Sequence, residues 1–132
     1  MRQVEVAVIG TGWCGGIRAE TLAKSALVDK RHICEIKPER LAEVRELTNP
    51  ATATPDYQDI VANPAISVVY ISTTPEGTHY AIARDCLKAG KNVLLEKPIA
   101  LELWEADDLI AISRANNVKF TIGYSQRFNS KI

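Results

Sequence analysis

Three glycines near the start of the chain have the spacing of a phosphate-binding turn. The apolar run at 4–10 predicts a buried strand, and the segment at 16–26 has the periodicity of a helix. Between a strand and a helix, this spacing allows a tight turn and a close approach of the backbone to a pyrophosphate. The alternative is a plain strand-to-helix turn, but spacing and context together favour pyrophosphate binding. The predicted turn consists of Gly10, Thr11, Gly12, Trp13, Cys14 and Gly15.

An acidic residue stands near the end of the second predicted strand, at 31–36. Glu35 comes about 20 residues after Gly15, the separation at which such folds place a carboxylate that binds the adenosine ribose. A surface glutamate that merely ends a strand is the alternative. Because a carboxylate there would repel a 2′-phosphate, Glu35 favours NAD over NADP as cofactor. Lys37 and Arg40 lie nearby, however, and either could reach such a phosphate.

A threonine-rich turn follows the fourth predicted strand, at 66–73. Thr73, Thr74 and Pro75 fall where the strand order of the predicted sheet reverses, and ligands bind in the crevice at that point. The same residues would serve equally as a helix cap with a proline turn, and the two roles are compatible. His79 lies in the first turn of the next helix, where a lone histidine is more often structural than catalytic.

The tripeptide Glu96, Lys97 and Pro98 directly follows the fifth predicted strand, at 92–96. A lysine at that edge of the sheet would stand near the nicotinamide end of the crevice. Its ammonium group could orient a substrate hydroxyl or help to move its proton, because lysine donates three hydrogen bonds and shifts its pKa on burial. Taken alone, the tripeptide is also compatible with a solvated surface lysine.

Strands alternating with helices predict an α/β fold with a doubly wound parallel sheet, the Rossmann fold, in strand order 3-2-1-4-5-6. We expect a dinucleotide-binding domain at 1–124 and a junction tail at 125–132. Asp56 is predicted to cap one helix, and Gly90 to end another. The predicted strands are 4–10, 31–36, two or three residues within 49–55, 66–73, 92–96 and 119–124. The predicted helices are 16–26, 39–47, 56–63, 78–90 and 103–117.

Composition and charge restrict the classes of partner. The 132 residues carry 16 Lys and Arg against 16 Asp and Glu, so no basic surplus favours nucleic acid or an anionic membrane. No apolar run approaches the ~20 residues of a membrane span, and no export signal is evident, which predicts a cytoplasmic protein. Cys14, Cys34 and Cys86 match neither a disulfide framework nor a zinc pattern. We expect reduced thiols and no metal site.

Several stretches together resemble the family of glucose–fructose oxidoreductase and inositol 2-dehydrogenase, also called GFO/IDH/MocA. They are AVIGTGWCG, TTPEGTH with the later CLKAGKNVLLEKPIA, and GYSQRFN. The resemblance implies an N-terminal domain carrying NAD or NADP, followed by a second α/β domain. It also implies that Lys97 contacts substrate and nicotinamide, and that Arg127 and Phe128 lie near the domain junction, with Arg127 among the cofactor-binding residues.

The resemblance further implies hydride transfer to or from sugar or cyclitol alcohols, which are small-molecule substrates. Members use an acid/base histidine from the second domain, and neither His32 nor His79 occupies that place. We therefore expect the chain to bind cofactor without turnover and to self-associate through an exposed apolar surface, as in a homo-oligomer. Two alternatives are a standalone NAD(H)-sensing module and a structural protein that has lost its ligand. The intact glycines and Glu35 count against the second.

Overall fold

The computed structural model describes residues 4–11, 28–73, 76–96 and 102–123. Within these residues, six parallel strands form one sheet in the order β3-β2-β1-β4-β5-β6, which confirms the predicted topology. The strands are β1 (Val4–Ile9), β2 (Val28–Cys34), β3 (Thr52–Thr54), β4 (Ile66–Ile71), β5 (Asn92–Glu96) and β6 (Phe120–Gly123).

The helices follow the strands as the alternating pattern predicts. Pro38 occupies the first turn of its helix, where the missing N–H has no intrahelical partner to lose. The predicted helix at 16–26 lies outside the described residues. The described helices are α1 (Pro38–Thr48), α2 (Gln58–Ala62), α3 (His79–Lys88) and α4 (Leu103–Ala115), with a 3₁₀ turn at Glu76–Thr78.

The predicted element boundaries differ from the observed ones by up to three residues, and two of these differences have a clear local reason. The second strand begins at Val28, three residues earlier than predicted. The prediction missed this start because the exposed Asp29 and Lys30 interrupt the apolar pattern on which it rested. Asp56 is not the N-cap of α2. That helix begins at Gln58 with Tyr57 in the cap position, and Asp56 instead forms part of the turn after β3, its Oδ1 accepting the Gln58 N–H at 2.9 Å.

The end of α3 has the geometry predicted from Gly90. Gly90 has φ +83°, a left-handed conformation that glycine adopts readily. Its N–H donates to the Leu87 carbonyl at 3.0 Å, and the Lys91 N–H donates to the Cys86 carbonyl at 3.1 Å. These paired bonds form a Schellman motif, which satisfies the last carbonyls of the helix and turns the chain into β5.

Both faces of the sheet are packed, as a doubly wound fold requires. Because side chains alternate along a strand, Ile9 and Ile71 join the larger core under α3 and α4, whereas Val8 and Tyr70 join a smaller cluster under α1. His32 lies within β2, 3% exposed, with its ring nitrogens 2.8 Å from Thr52 Oγ1 and 2.9 Å from Glu5 Oε1. It links neighbouring strands within the sheet.

In the described parts of the chain, no helix combines the length and the apolar character that a membrane crossing requires.

Candidate functional site

A cavity of about 580 Å³ opens at the edge of the sheet where β1, β2, β3 and β4 end. Its floor and walls are mostly apolar, and two carboxylates, two basic side chains and four side chains with hydroxyl groups line the rest. The lining residues are Ile9, Gly10, Cys34, Glu35, Ile36, Lys37, Arg40, Pro55, Asp56, Tyr57, Ser72, Thr73, Thr78, Ala81 and Ile82.

Gly10 lies where the ends of three strands approach one another most closely. Its φ is +87°, its N–H donates to the Cys34 carbonyl at 2.8 Å, and the neighbouring Ser72 N–H donates to the Ile9 carbonyl at 2.8 Å. A Cβ placed on Gly10 would lie 2.6 Å from the Ser72 carbonyl oxygen and 2.8 Å from the Thr73 nitrogen. Glycine is therefore required here by both conformation and space.

Thr11 and Glu35 form the polar centre of the cavity edge. Glu35 Oε1 accepts two hydrogen bonds from Thr11, one from its N–H and one from its hydroxyl, both at 2.9 Å. Glu35 Oε2 accepts the Lys37 N–H at 3.0 Å. Burial opposes ionisation of Glu35, but these hydrogen bonds outweigh it and hold the pKa of the carboxyl below its ordinary value. The side chain is therefore a fixed carboxylate at neutral pH.

Arg40 reaches back from α1 to the start of the glycine turn. Its Nε donates to the Thr11 carbonyl at 2.7 Å, and its Nη1 pairs with the Glu43 carboxylate. Thr11 is thus bonded through its N–H, its hydroxyl and its carbonyl, and it is fully buried. The spacing of the glycines gave no sign that Thr11 would be held by hydrogen bonds through three of its groups.

The turn after β4 is supported from behind by His79. His79 is 2% exposed, and its Nε2 donates to the Thr73 carbonyl at 2.9 Å. The hydroxyls of Thr73 and Thr78 lie 2.6 Å apart at the cavity wall. His79 therefore supports the shape of the turn through Thr73, which agrees with the structural role that the sequence favoured. Cofactor contact by His79 stays a prediction.

At the end of β5, Glu96 is bonded to a neighbouring strand. The Tyr70 hydroxyl donates to the Glu96 carboxylate across β4 and β5. Glu96 is half-buried, and it is the last residue before the predicted catalytic lysine. Several predicted site residues lie outside the described residues, and their roles stay predictions. They are Gly12, Trp13, Cys14, Gly15, Thr74, Pro75, Lys97, Pro98 and Arg127.

Ile36, Tyr57 and Cys34 line the cavity, although sequence reasoning gave them no role in it. Ile36 is 71% exposed directly after Glu35, and an apolar residue next to the carboxylate predicted to bind ribose was a signal that could have found it. Tyr57 carried no such signal. Burial, with a smaller contribution from Glu35, raises the pKa of the Cys34 thiol to about 12, so the thiol is protonated and is not a nucleophile.

Comparison with known proteins agrees with this geometry. Residues 4–124 match the family described as "Oxidoreductase family, NAD-binding Rossmann fold", GFO/IDH/MocA. The chain is similar to myo-inositol 2-dehydrogenase of Thermotoga maritima, at 29% identity over 96% of this chain and 37% of that protein. It is also similar to an NADP(+) scyllo-inositol 2-dehydrogenase of Bacillus subtilis, at 28% identity over 96% of this chain and 35% of that protein.

Among solved structures, the chain is similar to scyllo-inositol dehydrogenase from Lactobacillus casei with bound NAD(H) and scyllo-inositol. The TM-score is 0.88 and the identity 26%, over 98% of this chain and 38% of that one. The chain thus spans a little over a third of the length of the curated relatives it matches. The chain belongs to the GFO/IDH/MocA oxidoreductase family, and it is similar over most of its length to the family's NAD-binding Rossmann domain.

Proposed function

We propose that this chain binds NAD(H) in the cavity beside Glu35 and presents it for hydride transfer to or from a sugar- or cyclitol-like alcohol. The observation that carries the proposal is the Glu35 carboxylate, which is fixed by three hydrogen bonds at the carboxyl edge of the sheet. Three of its roughly four acceptor positions are used, and the remaining one on Oε2 suits a ribose hydroxyl.

The residues present fit such a cofactor. Beyond the ribose, the cavity wall at Ile36, Pro55 and Tyr57 is apolar enough for an adenine ring, and Gly10 marks where backbone can approach closely. When bound, the nicotinamide would accept or return the hydride. In this proposal the pyrophosphate lies over residues 12–15. Lys97 is the catalytic residue of this chain, and it orients the substrate hydroxyl or helps to move its proton.

Calorimetric titration of the purified chain with NADH tests the proposal. Saturable binding supports it, and absence of heat at millimolar NADH in a folded sample contradicts it.

We further propose that 1–124 is the cofactor domain, that 125–132 leads toward a substrate domain, and that this chain alone binds cofactor without turnover. Saturable formation of NADH from inositols or sugars by the chain alone would contradict the last point and separate a complete enzyme from a binding module.

Cofactor preference should depend on Glu35. NAD(H) is expected to bind more tightly than NADP(H) by roughly 1–3 kcal/mol. The 2′-phosphate of NADP(H) replaces the ribose hydroxyl that would donate a hydrogen bond to Glu35, and its negative charge is repelled by the carboxylate. Glu35→Ala should narrow the gap, as measured by titration with both cofactors. Thr11→Val is the matched control, since it removes the hydroxyl that donates to Glu35 but keeps the negative charge of Glu35. This variant should therefore still prefer NAD(H). Equal affinity of the unaltered chain for both cofactors would show that the role assigned to Glu35 is wrong.

The exposed Ile36 side chain should contribute to adenosine binding. Ile36→Ser is expected to weaken 5′-AMP and NADH about fivefold through lost apolar contact, with little change in stability because the side chain is exposed in the free chain. Leu47→Ser is the control, because Leu47 is 60% exposed on α1 and does not line the cavity. Equal affinities of the Ile36→Ser and Leu47→Ser variants for 5′-AMP would show that Ile36 does not contribute to adenosine binding.

A further inference from the structure

Asp85, on α3, does not line the cavity, but its carboxylate accepts hydrogen bonds from Tyr57, which lines the cavity wall, and from the neighbouring Gln58. Its Oδ2 accepts the Tyr57 hydroxyl at 2.6 Å and the Gln58 amide at 3.2 Å, and its Oδ1 accepts from Arg84 Nε at 3.2 Å. Tyr57 is the N-cap of α2 and Gln58 is its first residue, so both belong to the start of α2. Asp85 therefore connects the start of α2 to α3, one turn beyond the cavity residues Ala81 and Ile82.

Tyr57 stands between Asp85 and the cavity. It lines the cavity and is half-buried against the larger core, whereas Asp85 is not among the lining residues. A tyrosine side chain at a cavity wall samples several rotamers unless a contact or hydrogen bond holds it in one of them. A short bond to a carboxylate supplies that restraint before any ligand arrives, which lowers the ordering cost of binding.

We infer that Asp85 is a positioning residue for the adenosine end of the cavity, acting through Tyr57. This inference rests on the function proposed above. Asp85 fixes the Tyr57 ring as a preformed wall of the cavity that Glu35 also lines, and it does so without touching the ligand.

The charge states suit this arrangement over the ordinary pH range. Burial, followed by the bond to Asp85, raises the pKa of Tyr57 to about 12, so the phenol keeps its proton and donates. Burial opposes ionisation of Asp85, but the bonds from Tyr57, Arg84 and Gln58 outweigh it and lower the pKa of that carboxyl. The pair is therefore a phenol donating to a carboxylate at neutral pH, and its effect on binding should not change between mildly acidic and mildly basic conditions.

A purely structural role for Asp85 makes a different prediction from a positioning role. If Asp85 only stabilised the fold, its removal would lower the unfolding free energy without changing the affinity of the folded chain for adenosine ligands. If it positions Tyr57, affinity for 5′-AMP should fall, and that fall should vanish when the Tyr57 hydroxyl is already absent. A double-mutant cycle on ligand affinity separates the two roles.

The test uses the full chain and calorimetric titration with 5′-AMP and NADH, at a temperature where every variant is folded. Asp85→Ala and Tyr57→Phe should each weaken 5′-AMP binding about three- to tenfold, and the double variant should be no weaker than either. Asp85→Asn retains an oxygen acceptor and should recover most of the affinity. Tyr80→Phe is the matched control, because it removes a similar bond, to Asp108 Oδ2 at 2.5 Å, between α3 and α4.

Each outcome decides the inference. Weakening by Asp85→Ala that is absent in the Tyr57→Phe background supports it. Unchanged 5′-AMP affinity in Asp85→Ala, weakening that is fully additive in the double variant, or equal weakening in Tyr80→Phe overturns it while the proposed function stands. Failure of the unaltered chain to bind either ligand contradicts the proposed function, and the inference falls with it.

Discussion

Replacing Gly10 with alanine is expected to remove most of the stability of this chain. A Cβ at this position would meet the Ser72 carbonyl group and the Thr73 nitrogen at 2.6–2.8 Å, and these are backbone atoms at the end of β4. Relief would require the ends of β1 and β4 to separate. The steric clash adds to the strain of an alanine at φ +87°. We therefore expect a loss of at least about 3 kcal/mol in the unfolding free energy, measured by urea denaturation.

Gly90→Ala is the matched control for that experiment. Gly90 has a similar positive φ, at +83°, but apart from its own chain neighbours no atom of the described residues lies within 4 Å of the position where its Cβ would be. It should therefore show only the conformational cost, about 1–2 kcal/mol. The difference between the two variants isolates the steric term. Equal losses for the two variants, or a Gly10→Ala protein as stable as the unaltered chain, would contradict the geometry at the cavity edge.

The sequence predicted the sheet well, because the information that determines strand order is local. Each strand appears as a short apolar run, and the helix that follows it fixes the crossover, so the order followed from the alternation alone. Gly10 and Glu35 were expected at one edge of the sheet for the same reason, since a strand-turn-helix unit places both there, and both line the cavity. Their part in cofactor binding stays a prediction. Boundaries failed where exposed charges, as at Asp29 and Lys30, obscured the pattern.

The side-chain pairs that support the cavity wall at Tyr57 and the end of β5 were harder to predict, because their members lie far apart in the chain. Tyr57 and Asp85 are 28 residues apart, and Tyr70 and Glu96 are 26 apart. Neither pair has a periodicity or a motif that would connect its members. Their partnership becomes visible only when α3 lies on the sheet and β5 lies beside β4, so no reading of single segments could have found it.

Lys91 is a second residue whose role emerged only from the fold, and its removal should have a large effect on stability. Lys91 is 2% exposed, and its Nζ donates to the carbonyls of Asn63 at 2.7 Å and Ile66 at 2.8 Å. Lys91→Met keeps most of the chain volume but leaves both carbonyls without this donor. The Asn63 carbonyl keeps the Ile66 N–H at 3.3 Å, so the loss is that of two hydrogen bonds from a charged donor rather than of two orphaned carbonyls. Since a hydrogen bond to a charged group contributes about 1.5–3 kcal/mol, and the variant no longer has to bury an ammonium group, we expect a loss of about 2–4 kcal/mol by urea denaturation.

The control is Lys88→Met, which removes a charge from the exposed last turn of α3 and should change stability by less than about 0.5 kcal/mol. A pH series adds a second test. Burial lowers the pKa of Lys91 below its ordinary 10.5, so the unfolded chain binds more protons than the folded chain just below that pH. Stability from this group therefore rises with pH through that window.

Other groups titrate in the same range, so the informative quantity is the difference between the unaltered chain and Lys91→Met. Tyr57 and Cys34, with pKa values raised to about 12, act in the opposite direction in both proteins and cancel in that difference. Cys86 does not cancel, because Lys91 lowers its pKa, so the pKa of Cys86 should rise further in Lys91→Met and make the stability of that variant fall more steeply with pH. The stability advantage of the unaltered chain should grow as the pH approaches 10.5. An advantage that is absent at neutral pH, or that shrinks as the pH rises, would show that the buried amine does not support the start of β5, the strand that ends at Glu96.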